Sequence, residues 1–255
     1  MELTELERQR NALVVKSNDL IQRSRFELTA QQQKVVLFLA SKVNAWDEDF
    51  SEYEFNIQDF CQLCGIDTTS GGNYKALKKT IKEIADKSLW VTLPNGSETL
   101  LRWIEKPYLD ERSGTIRIRL DKDMKPYLLK LQGNYTQYEL IWAIQFKSKY
   151  SIRLYELIKS IHYNELHSYE RVFTMEELRK ALGAENAYPE WKNFKARVLE
   201  PATQEINKYS DNKIQYSPIT QGKTVTRVWF RVESKLDAEE FVQSFTNRRV
   251  GKLEG

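Results

Sequence analysis

Three segments in the first half of the chain carry apolar residues at helical spacing, and two short alternating segments follow them. The first helix is expected to begin with Thr29 and Gln32, which have the spacing of a capping box. Asn56 is expected to cap the second helix, and Gly65 to end it. The apolar faces of the three helices are formed by Val36, Leu39, Ala40 and Val43; by Ile57, Phe60, Cys61 and Cys64; and by Tyr74, Leu77, Ile81, Ile84 and Ala85. Two strands around a turn at 94–96 complete a helix, helix, helix, hairpin order, which is typical of a winged-helix domain.

The same pattern recurs in the second half of the chain at an offset of 118 residues. Thr174 and Glu177 provide another capping box, and a second hairpin is expected around a turn at Gln221 and Gly222. The residues at the corresponding apolar positions, with the offset shortened by one in the third helix, are Leu154, Leu157, Ile158, Ile161, Met175, Leu178, Leu182, Trp191, Phe194 and Val198. Chance rarely preserves three helices in register. The sequence therefore predicts an α+β fold of two tandem winged-helix domains related by internal duplication.

A strand and a short helix separate the two copies of the pattern. Apolar and basic residues alternate over 116–120, as in a strand with one solvent-exposed face. Residues 121–131 have the pattern of a short helix, and a Gly-Asn pair at 133–134 ends it. We therefore expect the first domain at 1–132 and the second at 133–250.

Composition narrows the class of protein without identifying it. The chain has 255 residues, a net charge of only +3 and a pI of about 8.6, so a polyanionic partner requires positive charge to be concentrated in particular places. No segment approaches the roughly 18 apolar residues of a membrane-spanning helix, and the N-terminus lacks the apolar run of a signal peptide. Two cysteines provide no disulfide framework. A cytoplasmic protein without membrane association is expected.

Positive charge is concentrated on the third helix of the first copy. Its lysines lie opposite the apolar face around Leu77, and they are Lys75, Lys78, Lys79 and Lys82. The third helix of a winged-helix domain is the one able to enter a DNA major groove. A lysine face suits phosphate contacts better than base contacts. The alternative is an ordinary solvated helix surface.

The corresponding helix of the second copy carries a different polar face. Asn193 and Arg197 lie opposite its apolar residues, and Lys192 lies at the edge of the apolar face. Arginine can bond guanine through two hydrogen bonds and asparagine can bond adenine in the same way, so this helix is the candidate for base recognition. Pro201 has no amide hydrogen, which predicts a kink over 197–201.

Two further basic groups lie on elements that one DNA duplex could contact. The first is at the N-terminal end of the first helix of the second copy, where the unpaired amides favour a phosphate, and it consists of Lys147, Lys149 and Arg153. Lys223 and Arg227 are expected near the tip of the second hairpin, where they could contact the DNA backbone. Taken one by one, each of these residues could simply be solvated.

Three stretches of the chain resemble the replication initiator proteins of iteron-type plasmids, the Rep_3 family. They are NDLIQRSRFELTAQQQKVVLFLASKV, FKSKYSIRLYELIKS and FKARVLEPATQEIN, and the likeness extends over roughly residues 11–232. The resemblance implies two tandem winged-helix domains, which the duplicated pattern indicates independently. It also implies base recognition by the helix that holds Lys192, Asn193 and Arg197, with phosphate contacts from the group at Lys147.

The family resemblance carries further expectations about partners. Monomers are expected to bind direct repeats (iterons) in double-stranded origin DNA and to open the adjacent A+T-rich duplex. Homodimers, formed through the first domain and in equilibrium with monomers, are expected to repress the initiator's own gene. Recruitment of the host replication initiator and helicase machinery is also implied.

Enzyme and metal chemistry have weaker support in the sequence. Cys61, Cys64, His162 and His167 are a possible zinc set on paper, but both cysteines complete an apolar stripe and a core role is expected. The acidic run 47–54 could bind a cation or form a solvated loop. We expect no cofactor, no metal and no enzymatic activity. The rival interpretations are a tandem winged-helix transcriptional repressor and a nicking endonuclease initiator, although the tyrosine nucleophile of a nickase would need metal-binding histidines that this sequence lacks.

Overall fold

The computed structural model describes residues 12–44, 47–64, 73–161 and 167–237. Its internal contacts divide the chain into two compact units, Met1–Lys149 and Tyr150–Gly255. This division falls 17 residues after the domain boundary expected from the sequence, which ended the first domain at residue 132. Among the described residues, no helix is long and apolar enough to cross a membrane.

The first unit combines helices with three small antiparallel sheets. In chain order its elements are β1 (Leu13–Ser17), α1 (Asn18–Arg23), β2 (Ser24–Arg25), α2 (Ala30–Ser41), β3 (Tyr53–Asn56), α3 (Ile57–Cys64), α4 (Asn73–Asp86), β4 (Ser88–Thr92), β5 (Glu98–Arg102), β6 (Tyr108–Asp110), β7 (Thr115–Ile118), a 3₁₀ turn (Lys122–Met124), α5 (Lys125–Leu128), β8 (Tyr135–Glu139) and α6 (Leu140–Ile144). The sheet orders are β2-β4-β5, β3-β7-β6 and β1-β8. Because β8 pairs with β1 and α6 packs against α2, the segment that follows residue 132 belongs to the first unit.

The described part of the second unit has two separate helices, a third helix interrupted by a π-helical turn, and one three-stranded sheet. Its elements are α7 (Lys149–Ser160), which begins at the last residue of the first unit, β9 (Ser168–Thr174), α8 (Met175–Leu182), α9 (Trp191–Phe194), a π-helical turn (Lys195–Leu199), α10 (Glu200–Tyr209), β10 (Asn212–Gln221) and β11 (Thr224–Ser234). The sheet order is β10-β11-β9, all antiparallel. The predicted second hairpin is therefore confirmed, and its two-residue turn is Gly222 and Lys223, one residue later than expected.

The caps predicted from the sequence are present in both units. The Thr29 hydroxyl accepts a hydrogen bond from the Gln32 amide (3.2 Å), and the Gln32 side chain accepts one from the Thr29 amide (3.0 Å). Thr174 and Glu177 form the same pair of bonds. The Asn56 side chain caps α3 by accepting from the Gln58 amide (2.8 Å). The predicted helix end at Gly65 lies outside the described residues.

The duplicated apolar pattern corresponds to buried positions in both units. Equivalent residues with at most 3% of their surface exposed are Leu39 and Leu157, Phe60 and Leu178, Leu77 and Phe194, and Ile81 and Val198. The second helix of each unit also begins at the same offset, at Ile57 in α3 and at Met175 in α8. The two tandem winged-helix modules predicted from the sequence are therefore confirmed.

The first module departs from the second in the strand that precedes its second helix. In the second module, β9 pairs with β11 and so joins the hairpin sheet. The equivalent strand β3 pairs instead with β7, and the third strand of the hairpin sheet is the short β2, which pairs with the first hairpin strand β4 rather than with the second. The alternating residues at 116–120 explain why β3 pairs with β7 rather than with the hairpin, because Ile116 and Ile118 of β7 are buried opposite β3.

The acidic run that could have bound a cation is neutralised by basic side chains of the same unit. Asp49 accepts from Lys125 (2.9 Å) and Arg119 (3.1 Å), and the bond from Lys125 is the largest cause that lowers the pKa of Asp49 to about 2. Glu48 pairs with Lys130 at 2.9 Å. Part of the run is also the strand β3 rather than a loop. No cluster of three or more His, Cys, Asp or Glu side chains that could hold a metal occurs among the described residues.

The two cysteines occupy the core of the first module. Cys61 and Cys64 are free thiols with at most 1% exposure. Burial raises the pKa of Cys61 to about 11 and also raises the pKa of Cys64, so neither is a thiolate at neutral pH. His162, which the zinc alternative would require, lies outside the described residues. This burial gives both cysteines the core role that was expected from their positions in the apolar stripe.

Candidate nucleic-acid interface

The lysine helix, our name for α4, presents its four lysines to solvent. Lys75, Lys78, Lys79 and Lys82 are all exposed, whereas Leu77, Ile81 and Ile84 on the opposite face are buried. Two of the lysines pair with acids one turn later: Lys79 lies 3.9 Å from Glu83, and Lys82 bonds Asp86. Lys75 and Lys78 form no ion pair within the described part of the chain. Lys75 and Lys78 are therefore more available to an anionic ligand than Lys79 and Lys82, which already face acids of the same helix.

The 191–209 helix, which comprises α9, the π-helical turn and α10, presents the three polar residues predicted for base recognition. Lys192, Asn193 and Arg197 are exposed, whereas their neighbours Phe194 and Val198 are fully buried. The Asn193 side-chain amide donates to the Glu190 carboxylate at 3.1 Å, which orients it at the surface. Because Phe194 and Val198 fix the helix in the core, the three polar side chains have a defined position on the outer face.

The kink predicted near Pro201 takes the form of a π-helical turn. The Glu200 amide donates to the Lys195 carbonyl, five residues earlier, and the turn spans Lys195–Leu199. Pro201 has no amide hydrogen, and in a regular α-helix its ring would clash with the carbonyl four residues back, that of Arg197. A wider turn just before the proline relieves this conflict.

Arg179 is a positioning residue that the sequence did not reveal. Its guanidinium donates to the carbonyls of Ala187 (2.7 Å), Tyr188 (2.8 Å) and Pro189 (3.0 Å). It also lies over the Phe194 ring, 4.4 Å from the ring centroid. Arg179 thereby fixes the loop that leads into the 191–209 helix. No periodicity signals these bonds, because their acceptors are backbone carbonyls of a loop.

The second hairpin carries its predicted basic residues on the surface. Lys223 lies in the turn and Arg227 on β11, and both are exposed. Gly222 has a φ of 61°, in the left-handed region that side chains disfavour, so a glycine suits the tip of this hairpin. The strands of this hairpin have 10 and 11 residues, against five each for the hairpin formed by β4 and β5.

Arg153 does not lie where the sequence interpretation placed it. It is only 5% exposed, and its Nε and Nη2 atoms donate to the Ala181 carbonyl at 2.8 and 2.5 Å. Burial lowers the pKa of Arg153 to about 10, while neighbouring Glu156 raises it. The expectation that Arg153 contacts a phosphate is therefore wrong, because its guanidinium joins α7 to the end of α8 inside the module.

The other two basic residues of that group have different positions. Lys147 precedes α7 and is exposed, whereas Lys149 is the first residue of α7 and is half-buried. Lys147 therefore lies outside the helix whose N-terminal end it was expected to occupy. Of the predicted group, Lys147 has the greatest access to a ligand.

Two modules of three helices and a hairpin, each with an exposed polar helix, define this molecule as a tandem winged-helix protein. The family model described as "Initiator Replication protein, WH1" matches residues 13–159, and the model described as "Initiator Rep protein, WH2" matches residues 174–232. The chain belongs to the Rep_3 family of replication initiator proteins, as the resemblance of its three sequence stretches predicted.

Individual proteins similar to this chain agree with that assignment. A replication initiation protein of Escherichia coli is 26% identical over 251 residues, which cover 95% of this chain and 76% of the relative. The PI protein of Escherichia coli is 27% identical over 167 residues, or 59% of this chain and 53% of the relative. Among solved structures, the crystal structure of Pi initiator protein in complex with iteron DNA has a TM-score of 0.73 at 19% identity, and the match covers 89% of this chain and 99% of that one. At this identity the structural match shows a shared fold.

Proposed function

We propose that this protein initiates plasmid replication by binding direct repeats in double-stranded origin DNA. The observation that carries the proposal is the 191–209 helix, which presents Lys192, Asn193 and Arg197 outward from a fully buried apolar face. Arginine and asparagine are the residues that discriminate guanine and adenine in the major groove. The Pi initiator protein, which shares this fold, has been crystallised with iteron DNA, and this supports the same class of ligand here.

The two modules divide the work of binding in this proposal. The second module, which begins at Tyr150, reads bases through the 191–209 helix and holds the DNA backbone through Lys223 and Arg227. The first module, which extends to Lys149, contacts phosphates through the lysine helix and through Lys147 and Lys149, and it forms the homodimer. Lys75 and Lys78 are the strongest candidates for the phosphate contacts of the lysine helix, because neither has an ion-pair partner among the described residues.

Binding, rather than bond-breaking chemistry, is the proposed mode of action. Occupied repeats would deform the duplex, favour local opening and bring the host replication initiator and helicase machinery to the origin, in the cytoplasm. A monomer would bind direct repeats, and a dimer would repress the gene of the initiator. Because each good base contact discriminates by about 1–3 kcal/mol, one helix with several contacts supplies useful selectivity.

Selection of DNA from a random-sequence pool tests the first step. The full-length protein should enrich a common sequence. On a DNA fragment that carries several direct copies of that sequence, the copies should be protected from a DNA-cleaving reagent at the spacing of the DNA helical repeat. Enrichment without a common sequence would contradict the proposal. A control in which Lys192, Asn193 and Arg197 are all replaced by Ala should retain weak binding and lose the enrichment.

Replication in cells separates an initiator from a repressor. The protein is supplied from one plasmid to cells that carry only an origin fragment with the selected repeats. Maintenance of the fragment supports initiation, whereas repression of a reporter without maintenance favours the repressor alternative. Incubation of the same supercoiled DNA with Mg²⁺ should give no covalent protein–DNA adduct, and an adduct would favour the nickase.

A further inference from the structure

The π-helical turn lies at the middle of the 191–209 helix, between two segments that are each fixed by packing. Phe194 of the first segment is fully buried and in contact with Arg179. Ala202 and Ile206 of the second segment are fully buried as well. Because neither segment can rotate without loss of these contacts, the turn between them determines how the two outer faces are aligned.

A π turn changes that alignment by the equivalent of one residue. A bond from residue i to i−5 encloses one more residue than an α-helical bond. Each α-helical residue advances by about 100° around the axis, so one extra residue shifts one segment relative to the other by about that angle. The turn also exposes three consecutive residues, Lys195, Ala196 and Arg197, between the buried Phe194 and Val198.

Pro201 accounts for the position of the turn. An α-helical bond would join the amide of residue 201 to the carbonyl of Arg197, and proline cannot donate it. Pro126, the other proline inside a described helix, is the second residue of α5, where an amide has no intrahelical acceptor. The two prolines therefore differ in whether they alter helical geometry.

We propose that Pro201 is a specificity-determining residue, because the π turn that it imposes sets the direction of Arg197 relative to Lys192 and Asn193. Pro201 itself is half-buried and acts through the backbone. The inference rests on the proposed base recognition by this helix. It adds that the side chains of the helix do not give base recognition without the wider turn. An α-helical turn would direct Arg197 away from the base step that it reads.

The test compares Pro201→Ala with Pro126→Ala in the full-length protein, with the selected repeat and random DNA as ligands. In a crystal structure of Pro201→Ala, restored α-helical bonding should join the amide of residue 201 to the Arg197 carbonyl and move the Glu200 amide from the Lys195 to the Ala196 carbonyl. Affinity for the repeat should fall at least about tenfold, while affinity for random DNA and its salt dependence stay the same, because phosphate contacts do not depend on this alignment. Pro126→Ala should match the wild type in every measurement.

Each remaining outcome decides against one of the two proposals. An α-helical turn in Pro201→Ala with unchanged preference for the repeat would overturn the specificity role of the turn. A π turn retained in Pro201→Ala would show that packing, rather than Pro201, imposes the turn, and would also overturn the inference. If the wild-type protein itself fails to distinguish the repeat from random DNA, the proposed function fails instead.

Discussion

The two modules share a fold and a buried pattern but differ in what their third helices present to solvent. The lysine helix exposes four lysines, two of them paired with acids one turn later. The 191–209 helix exposes two lysines, an asparagine and an arginine around a π turn, and one of these lysines, Lys195, pairs with Glu200. Lysine is a flexible point charge, whereas arginine and asparagine have planar groups that match base edges. One duplicated frame thus carries a surface suited to phosphates and a surface suited to bases.

The modules also differ inside, at the first helix of each. In α2 the positions equivalent to Arg153, Tyr155 and Glu156 are occupied by apolar residues, namely Val35, Leu37 and Phe38, and all six residues are buried. The second module therefore holds its core helix with polar contacts where the first uses apolar packing. Apolar packing tolerates small shifts, but buried polar groups are costly unless every partner is in place. The module proposed to read bases has the more narrowly specified core.

The largest expected effect comes from the buried ion pair of the second module. Lys159 and Asp211 lie 2.8 Å apart with about 9% of each side chain exposed, and the Tyr155 hydroxyl donates to the same carboxylate at 2.9 Å. Asp211→Ala leaves the Lys159 charge buried without its partner. We expect a loss of about 3–5 kcal/mol of stability, measured by hydrogen exchange resolved along the chain. Amides in 150–161 and 167–237 should exchange faster, while those of the first module stay unchanged.

An exposed pair in the first module is the matched control. Asp86→Ala removes the partner of Lys82 on the surface of the lysine helix and should leave exchange unchanged, because solvent screens such pairs. Equal effects of the two substitutions would contradict the contrast between the two cores.

The same carboxylate gives the second module a dependence on acid. Burial alone would raise the pKa of Asp211, but the charge and hydrogen bonds of Lys159, together with Tyr155, outweigh burial, and the pKa of Asp211 is lowered. A carboxylate with a lowered pKa stabilises the fold above its unfolded value of about 3.9, and this contribution is lost as pH falls through the folded value. The stability difference between wild type and Asp211→Ala should therefore shrink below about pH 4.

The next largest effect should come from Arg197 in the 191–209 helix. Arg197→Ala should cost about 1–3 kcal/mol for the selected repeat and relax the preference at one base position, because a bidentate contact to guanine is lost. Competition binding against repeats with single base changes measures both quantities. Uniform weakening on all DNA would show instead that Arg197 contacts a phosphate. The 191–209 helix would then resemble the lysine helix more closely in what it contacts.

The sequence predicts the parts of this molecule that local patterns determine. Capping boxes at Thr29 and Thr174 and the buried phase of three helices in each module follow from spacing within one turn or one helix. Even the irregularity near Pro201 is predicted in position, because proline removes one particular hydrogen bond, the one to the carbonyl four residues earlier.

The features that the sequence did not predict depend on partners distant along the chain. Arg153 looks like a surface cation in a basic stretch, and only the Ala181 carbonyl, 28 residues later, explains its burial. Asp211 is a similar case, because its partner Lys159 lies 52 residues earlier on another helix. Arg179 differs, because its partners are only 8 to 10 residues later but belong to a loop that helical spacing does not describe. Helical spacing reports which face is apolar, but it does not distinguish a basic residue that binds the protein's own carbonyls from one that is available to DNA.

The smallest expected effect, and the one that defines the first module most sharply, comes from Lys78 on the lysine helix. Lys78→Ala should weaken binding to the repeat and to random DNA by the same factor. It should also reduce the slope of log affinity against log salt by about 0.9, the value for one phosphate contact. Lys82→Ala is the matched control on the same face, and its smaller change should reflect the competing bond to Asp86. If Lys78→Ala altered the preference for the repeat while the salt slope stayed constant, the first module would also read bases. The two polar faces would then differ in composition but share one role.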